Sequence, residues 1–206
     1  MKTNAVDYLF LQPLFKCLEQ IHPLSQSFIT HHERNCDLIN IKKNKFILSP
    51  LDNNDAIYFL VKGLARGFIR EGKNEISTRF VFENQFIEVM HQPGNKSKYS
   101  IEYLQALEDS QLIRIPYKLI EFINTTYPEY QIINRKLLEI NYQIALERSL
   151  LARIPSALGR YLKFEAGHPG LNRIPQRYLA SYLVMRLETL SRIRNKVLDI
   201  KIMEMT

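Results

Sequence analysis

Residues 174–194, IPQRYLASYLVMRLETLSRIR, constrain the fold more than any other part of the chain. The apolar positions of a first helix share one face at i, i+1 and i+4, namely Leu179, Ala180 and Leu183. Those of a second helix repeat at helical spacing: Leu187, Leu190, Ile193 and Val197. Residues 184–186 form a short connector, and two helices crossing over so short a turn need a small side chain such as Ala180. The segment therefore predicts a helix-turn-helix.

The outward positions of the second helix are polar. They are Glu188, Thr189, Arg192 and Arg194, which are side chains that can contact base edges or phosphate. Any all-α subdomain with two amphipathic helices would show the same apolar spacing. The charge distribution is therefore needed to distinguish such a subdomain from a DNA-binding helix-turn-helix.

The positive charge is concentrated in the same part of the chain. The net charge is +7, and residues 151–206 hold 10 Lys/Arg against 4 Asp/Glu, whereas residues 1–150 hold 18 against 17. A basic C-terminal segment next to a near-neutral remainder of the chain is typical of a protein that binds the DNA phosphate backbone. A membrane-surface patch usually adds exposed Trp or Phe, but Trp is absent here and Phe is concentrated in the first half. The chain is expected to bind double-stranded DNA and no membrane.

The first part of the chain predicts a β domain preceded by helices. Residues 5–33 have apolar residues at helical spacing, interrupted by Pro13 and Pro23. Six short segments rich in β-branched and aromatic residues then alternate with turn residues: 45–48, 56–61, 64–70, 75–81, 100–106 and 111–115. They predict a compact antiparallel sandwich or barrel of about 80 residues.

A long helix is predicted after this domain. Pro116 opens a short helix to about residue 127, and Pro128 stands in the first turn of the longer one. Apolar residues in a 4-3-4-7 rhythm suit a seam between two helices: Ile133, Leu137, Ile140, Ile144 and Leu151. The alternative is a helix that packs only on the β domain of its own chain. The seam is favoured because a second apolar set is predicted to face the body of that chain: Leu138, Tyr142, Ala145 and Leu146. Pro155 ends the helix, and Ser156 caps the next, which runs to Ala166.

The sequence gives little support for metal binding or enzymatic catalysis. Cys17 and Cys36 lack a metal-ligand spacing and are expected to be reduced, buried thiols, which argues against an iron–sulfur cluster. Residues 32–36 read HExxC rather than the HExxH of zinc hydrolases, and neither a Gly-rich phosphate loop nor a Gly-x-Ser-x-Gly elbow is present. Residues 1–15 do not resemble a signal peptide. The sequence predicts a cytoplasmic protein that is not an enzyme and holds no metal.

The order of these parts resembles the Crp/Fnr family of transcription regulators. The most specific matching segments are 58–63 (YFLVKG) with 66–67 (RG), 106–110 (ALEDS), 127–129 (YPE), 174–183 (IPQRYLASYL) and 188–194 (ETLSRIR). The resemblance implies an α+β fold with an antiparallel β-roll of the cyclic-nucleotide-binding, jelly-roll type, a long dimerisation helix and a C-terminal helix-turn-helix. It also implies a homodimer that reads a palindromic DNA site, and contact with RNA polymerase. The expected divisions are 1–127, 128–154 and 155–206.

The chain departs from the family at the phosphate-binding cassette. Members that bind cyclic nucleotides carry a Gly-Glu pair and an Arg-Ser or Arg-Thr pair, whereas residues 83–90 (ENQFIEVM) contain no glycine and residues 100–101 supply no cation. A buried phosphate without a guanidinium partner is poorly compensated. Cyclic AMP is therefore not expected as effector. The resemblance places any other effector near Phe86, Glu88, Ser100 and Glu102.

The connector also departs from the family, which commonly has glycine in the turn and serine at the start of the recognition helix. Val184 and Arg186 occupy those places, and a β-branched residue at positive φ is strained. This leaves a competing hypothesis open, a ligand- or partner-binding β-roll protein that has lost sequence-specific DNA binding. On the first hypothesis the DNA-binding residues are Arg173, Gln176, Arg177, Ser181, Arg186, Glu188, Thr189, Arg192, Arg194 and Lys196.

Overall fold

The computed structural model describes residues 8–52, 54–88 and 100–203, except the side chains of residues 201 and 202. Its helices are α1 (Gln12–Glu19), α2 (Gln26–Asn35), α3 (Tyr117–Thr126), α4 (Pro128–Arg153), α5 (Ala157–Gly167), α6 (Gln176–Tyr182) and α7 (Leu187–Met203). Short 3-10 turns cover Tyr8–Leu11 and Leu171–Arg173. The predicted helix boundaries at Pro116, Pro128 and Ser156 are confirmed.

Eight strands form two four-stranded sheets. The strands are β1 (Asp37–Ile41), β2 (Phe46–Leu48), β3 (Ala56–Lys62), β4 (Ala65–Glu71), β5 (Asn74–Val81), β6 (Gln85–Ile87), β7 (Tyr103–Ala106) and β8 (Ser110–Pro116). The sheet orders are β1-β8-β3-β6 and β2-β7-β4-β5, and the registered pairs are antiparallel. The predicted antiparallel β-roll is confirmed. β1 and β6 were not among the six predicted strands.

Strand β3 is buried on both faces, which explains its continuous apolar run. Successive side chains of a strand point to opposite faces. Tyr58 and Leu60 join the cluster between the sheets, whereas Phe59 joins a second cluster with the helices. This second cluster includes Phe28 of α2 and Ile123 of α3, so these two helices pack on the outer face of the sheet that contains β3.

The chain divides into two compact units. One comprises Met1–Gly67 with Phe80–Ile140, and the other comprises Phe68–Arg79 with Asn141–Thr206. The second unit thus holds the end of α4, helices α5 to α7 and the hairpin where β4 turns into β5. The divisions expected at residues 127 and 154 stay predictions.

The two cysteines are free thiols, but only one is buried. Cys36 is 6% exposed, and burial raises the pKa of its thiol to about 12. The expectation that Cys17 is buried is wrong, because this side chain is partly exposed. Within the described residues, no cluster of His, Cys, Asp and Glu could hold a metal ion. None of the helices described there is long and apolar enough to cross a membrane.

Candidate nucleic-acid interface

Helices α6 and α7 form the predicted helix-turn-helix. Leu179 and Leu183 have no exposed surface, and Ala180 is 3% exposed, as expected for the side chains at the helix crossing. Leu190 and Val197 of α7 are also buried. Five of the seven residues chosen from helical spacing are therefore buried in this motif, whereas Ile193 is partly exposed and Leu187 is exposed.

The turn keeps a left-handed residue without using glycine. Val184 has φ +52°. The Val184 N–H donates to the Ser181 carbonyl at 3.2 Å, and the Met185 N–H donates to the Ala180 carbonyl at 3.0 Å. These two hydrogen bonds define the Schellman motif that commonly ends a helix. The turn is closed even though a β-branched residue occupies its strained position.

Several of the predicted DNA-binding side chains lie on the exposed surface of α7 or just before it. Arg186 precedes the helix, and Glu188, Arg192 and Lys196 follow on it; all four are exposed. Thr189 is partly exposed. Glu188 lies in the first turn, where a carboxylate interacts favourably with the helix dipole.

Arg194 differs from Arg192 in its surroundings. It is half-buried, and its Nη2 donates to Oδ1 of Asn172 at 2.6 Å. Burial raises the pKa of the Tyr161 phenol, and the nearby positive charge of Arg194 lowers it in part. The structure thus places Arg194 within the packing of the motif and leaves Arg192 on its surface.

The first helix contributes a second exposed group. Arg173, Gln176 and Arg177 are exposed at or before the start of α6. The Arg177 guanidinium lies 4.4 Å from the centre of the Tyr178 ring and donates to its hydroxyl. Tyr178 is 8% exposed.

Ser181 has protein partners on the hairpin between β4 and β5. Its Oγ accepts a hydrogen bond from the Ser77 N–H at 3.0 Å and donates to the Glu75 carbonyl at 3.2 Å. Both groups belong to the same compact unit as α6. A phosphate contact through this hydroxyl would have to replace these bonds.

Sequence reasoning missed an apolar surface at the start of α7. Leu187 was expected to pack inward, but this expectation is wrong, since its side chain is 44% exposed. Val184 is 65% exposed beside it. An exposed apolar side chain in the first turn of a recognition helix can contact a thymine methyl group. Helical spacing assigned Leu187 to the buried face, and it could not show that this first residue of α7 stays exposed.

The predicted seam of α4 divides into buried and exposed residues. Ile133 has no exposed surface and belongs to the core of its own unit, against which Leu137 also packs. Leu151 is 7% exposed. Ile140 and Ile144 are exposed.

The second apolar set of α4 does not face the body. Leu138 is 57% exposed, Tyr142 68% and Leu146 46%, so the expectation that this set packs inward is wrong. Ala145 is exposed as well. From residue 138 to 147 every side chain except Asn141 is exposed, which leaves an apolar helix face without a covering layer within the described chain.

The four residues expected near an effector lie on different sheets. Phe86 lies in β6 and packs edge-to-face on Phe59, with Glu88 exposed just after this strand. Ser100 and Glu102 are buried just before β7 of the other sheet, and the Ser100 hydroxyl bonds to the backbone of Glu102. Residues 89–99, which include the last two residues of the stretch 83–90, lie outside the described residues.

Comparison with known proteins identifies the fold. No protein-family model matches the chain, and no curated protein matches it in sequence. Among solved structures, it is similar to FixK2 from Bradyrhizobium japonicum, with TM-score 0.69 and 16% identity over 81% of this chain and 86% of that one. A mutant of CooA from Carboxydothermus hydrogenoformans gives TM-score 0.67 and 13% identity over 89% and 84%. A Crp/Fnr transcriptional regulator from Eubacterium rectale gives 0.63 and 15% over 82% of each. The chain therefore has the fold of the Crp/Fnr transcription regulators.

Proposed function

We propose that the protein is a cytoplasmic DNA-binding transcription regulator that acts as a homodimer and reads a palindromic site. The observation that supports this most is the exposed row of Arg186, Glu188, Arg192 and Lys196, which lies on α7 and just before it, next to a closed turn. This row lies in the part of the chain that holds almost all of the excess positive charge. Such a helix can enter the major groove and contact both phosphates and base edges.

The proposed dimer is joined along α4. Leu138, Tyr142, Leu146 and Leu150 follow one another at helical spacing and are 46% to 68% exposed. A helix face of this kind is normally covered by another protein surface. A second copy of α4 is the occupant we propose, with Ile140 and Ile144 at the edge of the seam. Ile133 is excluded from it, since it is buried in its own chain.

The β-roll is the proposed sensor, without cyclic AMP as its ligand. The stretch 83–90 has no glycine, and neither Ser100 nor Ile101 can neutralise a phosphate. A signal that reaches the roll would change DNA affinity through α4, by a coupling free energy between the two sites. We also propose that the protein contacts RNA polymerase and has no catalytic activity.

The competing hypothesis of lost DNA binding was motivated by Val184 and Arg186. Val184 adopts the left-handed conformation with both Schellman hydrogen bonds present, and α7 begins directly after Arg186. The motive for that hypothesis is therefore weakened, and we favour the regulator.

The test is selection of duplex fragments from the source genome, followed by affinity measurements at several salt concentrations. We expect one selected sequence and a steep negative dependence of affinity on salt. Arg192→Ala should cost about 1–3 kcal/mol at one base position if the side chain reads a base. Lys163→Ala is the matched control, because Lys163 is exposed on α5, outside the row on α7. Failure to select any sequence would support the competing hypothesis instead.

A further inference from the structure

Arg160 of α5 is bonded to four backbone carbonyl groups. Its Nε donates to the Leu183 carbonyl at 2.7 Å, and its Nη2 donates to the Val184 carbonyl at 3.0 Å. Its Nη1 donates to the carbonyls of Ile154 at 2.7 Å and Pro155 at 3.1 Å. One guanidinium thus joins the turn before α7 to the segment where α4 ends.

The turn needs such a partner for two reasons. The last carbonyl groups of a helix have no partner within the helix, and a cation near them is favourable. In addition, Val184 holds a left-handed conformation that is strained for an L-residue, most of all for a β-branched one. The bonds from Arg160 to Leu183 and Val184 stabilise the carbonyls on both sides of the strained position.

The other two hydrogen bonds connect Arg160 to the segment that follows α4. Ile154 and Pro155 directly follow Arg153, the last residue of α4, and they precede the cap of α5. We propose that Arg160 is the positioning residue of α7, because it fixes the turn of the helix-turn-helix to the end of the long helix. The inference rests on the proposed function only in treating α7 as the helix that reads DNA.

A direct phosphate contact by Arg160 is the main alternative. A guanidinium has five N–H groups, and four of those in Arg160 are engaged with backbone carbonyls. The side chain is also half-buried. Its geometry therefore fits hydrogen bonding to the protein backbone better than contact with a DNA phosphate.

The first experiment measures DNA affinity for Arg160→Met, Lys163→Met, Val184→Gly and the double variant R160M/V184G. The probes are the duplex selected from the genome and a scrambled duplex of the same length. We expect Arg160→Met to weaken binding of the selected duplex about tenfold or more, with a much smaller effect on the scrambled one. Val184→Gly should recover part of the loss, because glycine adopts the left-handed conformation without help. Lys163→Met should affect both duplexes alike.

Two results would overturn the proposal. One is an equal loss on both duplexes with a salt slope reduced by about 1, which marks a phosphate contact. The other is the absence of any recovery when Val184→Gly is added to Arg160→Met.

A second arm does not depend on DNA. In urea unfolding, Val184→Gly should raise the folding equilibrium constant more in the Arg160→Met background than in the wild type, by about threefold or more. Equal increases in both backgrounds would contradict the coupling. Arg160→Lys replaces Arg160→Met in the same cycle if the methionine variant does not fold. If the wild-type protein selects no DNA, the proposed function fails, and this arm still decides the role of Arg160.

Discussion

The Ser77 N–H donates to the Ser181 hydroxyl at 3.0 Å, which ties the β4–β5 hairpin to the first helix of the helix-turn-helix. The same hydroxyl donates to the Glu75 carbonyl at 3.2 Å. A side chain that the sequence assigns to DNA therefore already serves as donor and acceptor inside the protein. Any phosphate contact by Ser181 competes with the attachment of the hairpin.

Replacing Ser181 tests what this hydroxyl contributes to stability. Ser181→Ala leaves the N–H of the buried Ser77 without this acceptor, so we expect the free energy of unfolding to fall by about 1–2 kcal/mol. Chemical denaturation followed by circular dichroism measures it. Ser191→Ala, on the partly exposed side of α7, is the control. Unchanged stability of Ser181→Ala would mean that the hairpin attachment contributes nothing.

Val184→Gly should make the protein more stable. Glycine removes the strain of a β-branched residue at φ +52°, and little burial is lost because Val184 is 65% exposed. The expected gain in the free energy of unfolding is about 1 kcal/mol. Val184→Ala keeps most of the strain and should gain less. Destabilisation by glycine would show that the valine side chain has a packing role that outweighs the strain.

The cap of α5 can be removed by a single substitution. Ser156 has an extended backbone, and its Oγ accepts from the Gly159 N–H at 3.0 Å. Ser156→Ala should lower the free energy of unfolding by about 1 kcal/mol. Ser156→Asp retains an acceptor at this position and should stay close to the wild type. If both variants behave alike in denaturant, the hydrogen bond is not what stabilises the helix start.

The stability of the protein should fall in mild acid because of His32. The ring is 2% exposed and packs at 4.3 Å from Phe28, and burial lowers its pKa from 6.5 to about 4. Above pH 6.5 the ring is neutral in both states. Between pH 6.5 and 4 the unfolded chain binds a proton that the folded chain does not, so up to about 3 kcal/mol of stability is lost.

Urea unfolding at pH 7, 6 and 5 measures this loss. Neighbouring His31 contributes electrostatically to the lowered pKa of His32, so His31→Gln is the control for an indirect effect. His32→Leu should flatten the dependence of stability on pH, whereas His31→Gln should largely keep it. An equally steep dependence in His32→Leu would assign the loss to other groups.

The fold could be predicted where the signal is local. The helical spacing in residues 174–197 and the prolines at 116 and 128 located helices within a few residues of their bounds, because periodicity and punctuation are properties of short segments. Strand β6 was missed because it has three residues and is defined by pairing Phe86 with Phe59 of β3, which no local pattern reveals.

The site was harder to predict than the fold. Residue type and spacing separated Arg192 from the core, but they could not show that Arg194 reaches Asn172 or that Ser181 is bonded to a hairpin about 105 residues earlier in the chain. Arg160 was missed because its role comes from four backbone carbonyls, and backbone groups leave no trace in the sequence. The exposed set on α4 was misassigned, since apolar spacing does not say whether the covering surface belongs to the same chain.

Fragment selection with the purified protein is the sharpest test of whether two copies of α7 read one palindromic duplex. We expect enrichment of one inverted repeat whose half-site centres lie about 10–10.5 base pairs apart, bound by a dimer. Tyr142→Glu, placed on the exposed face of α4, should abolish the dimer and the selection together. Binding by a monomer, or a bound pool with no enriched sequence at any salt concentration, would contradict the account.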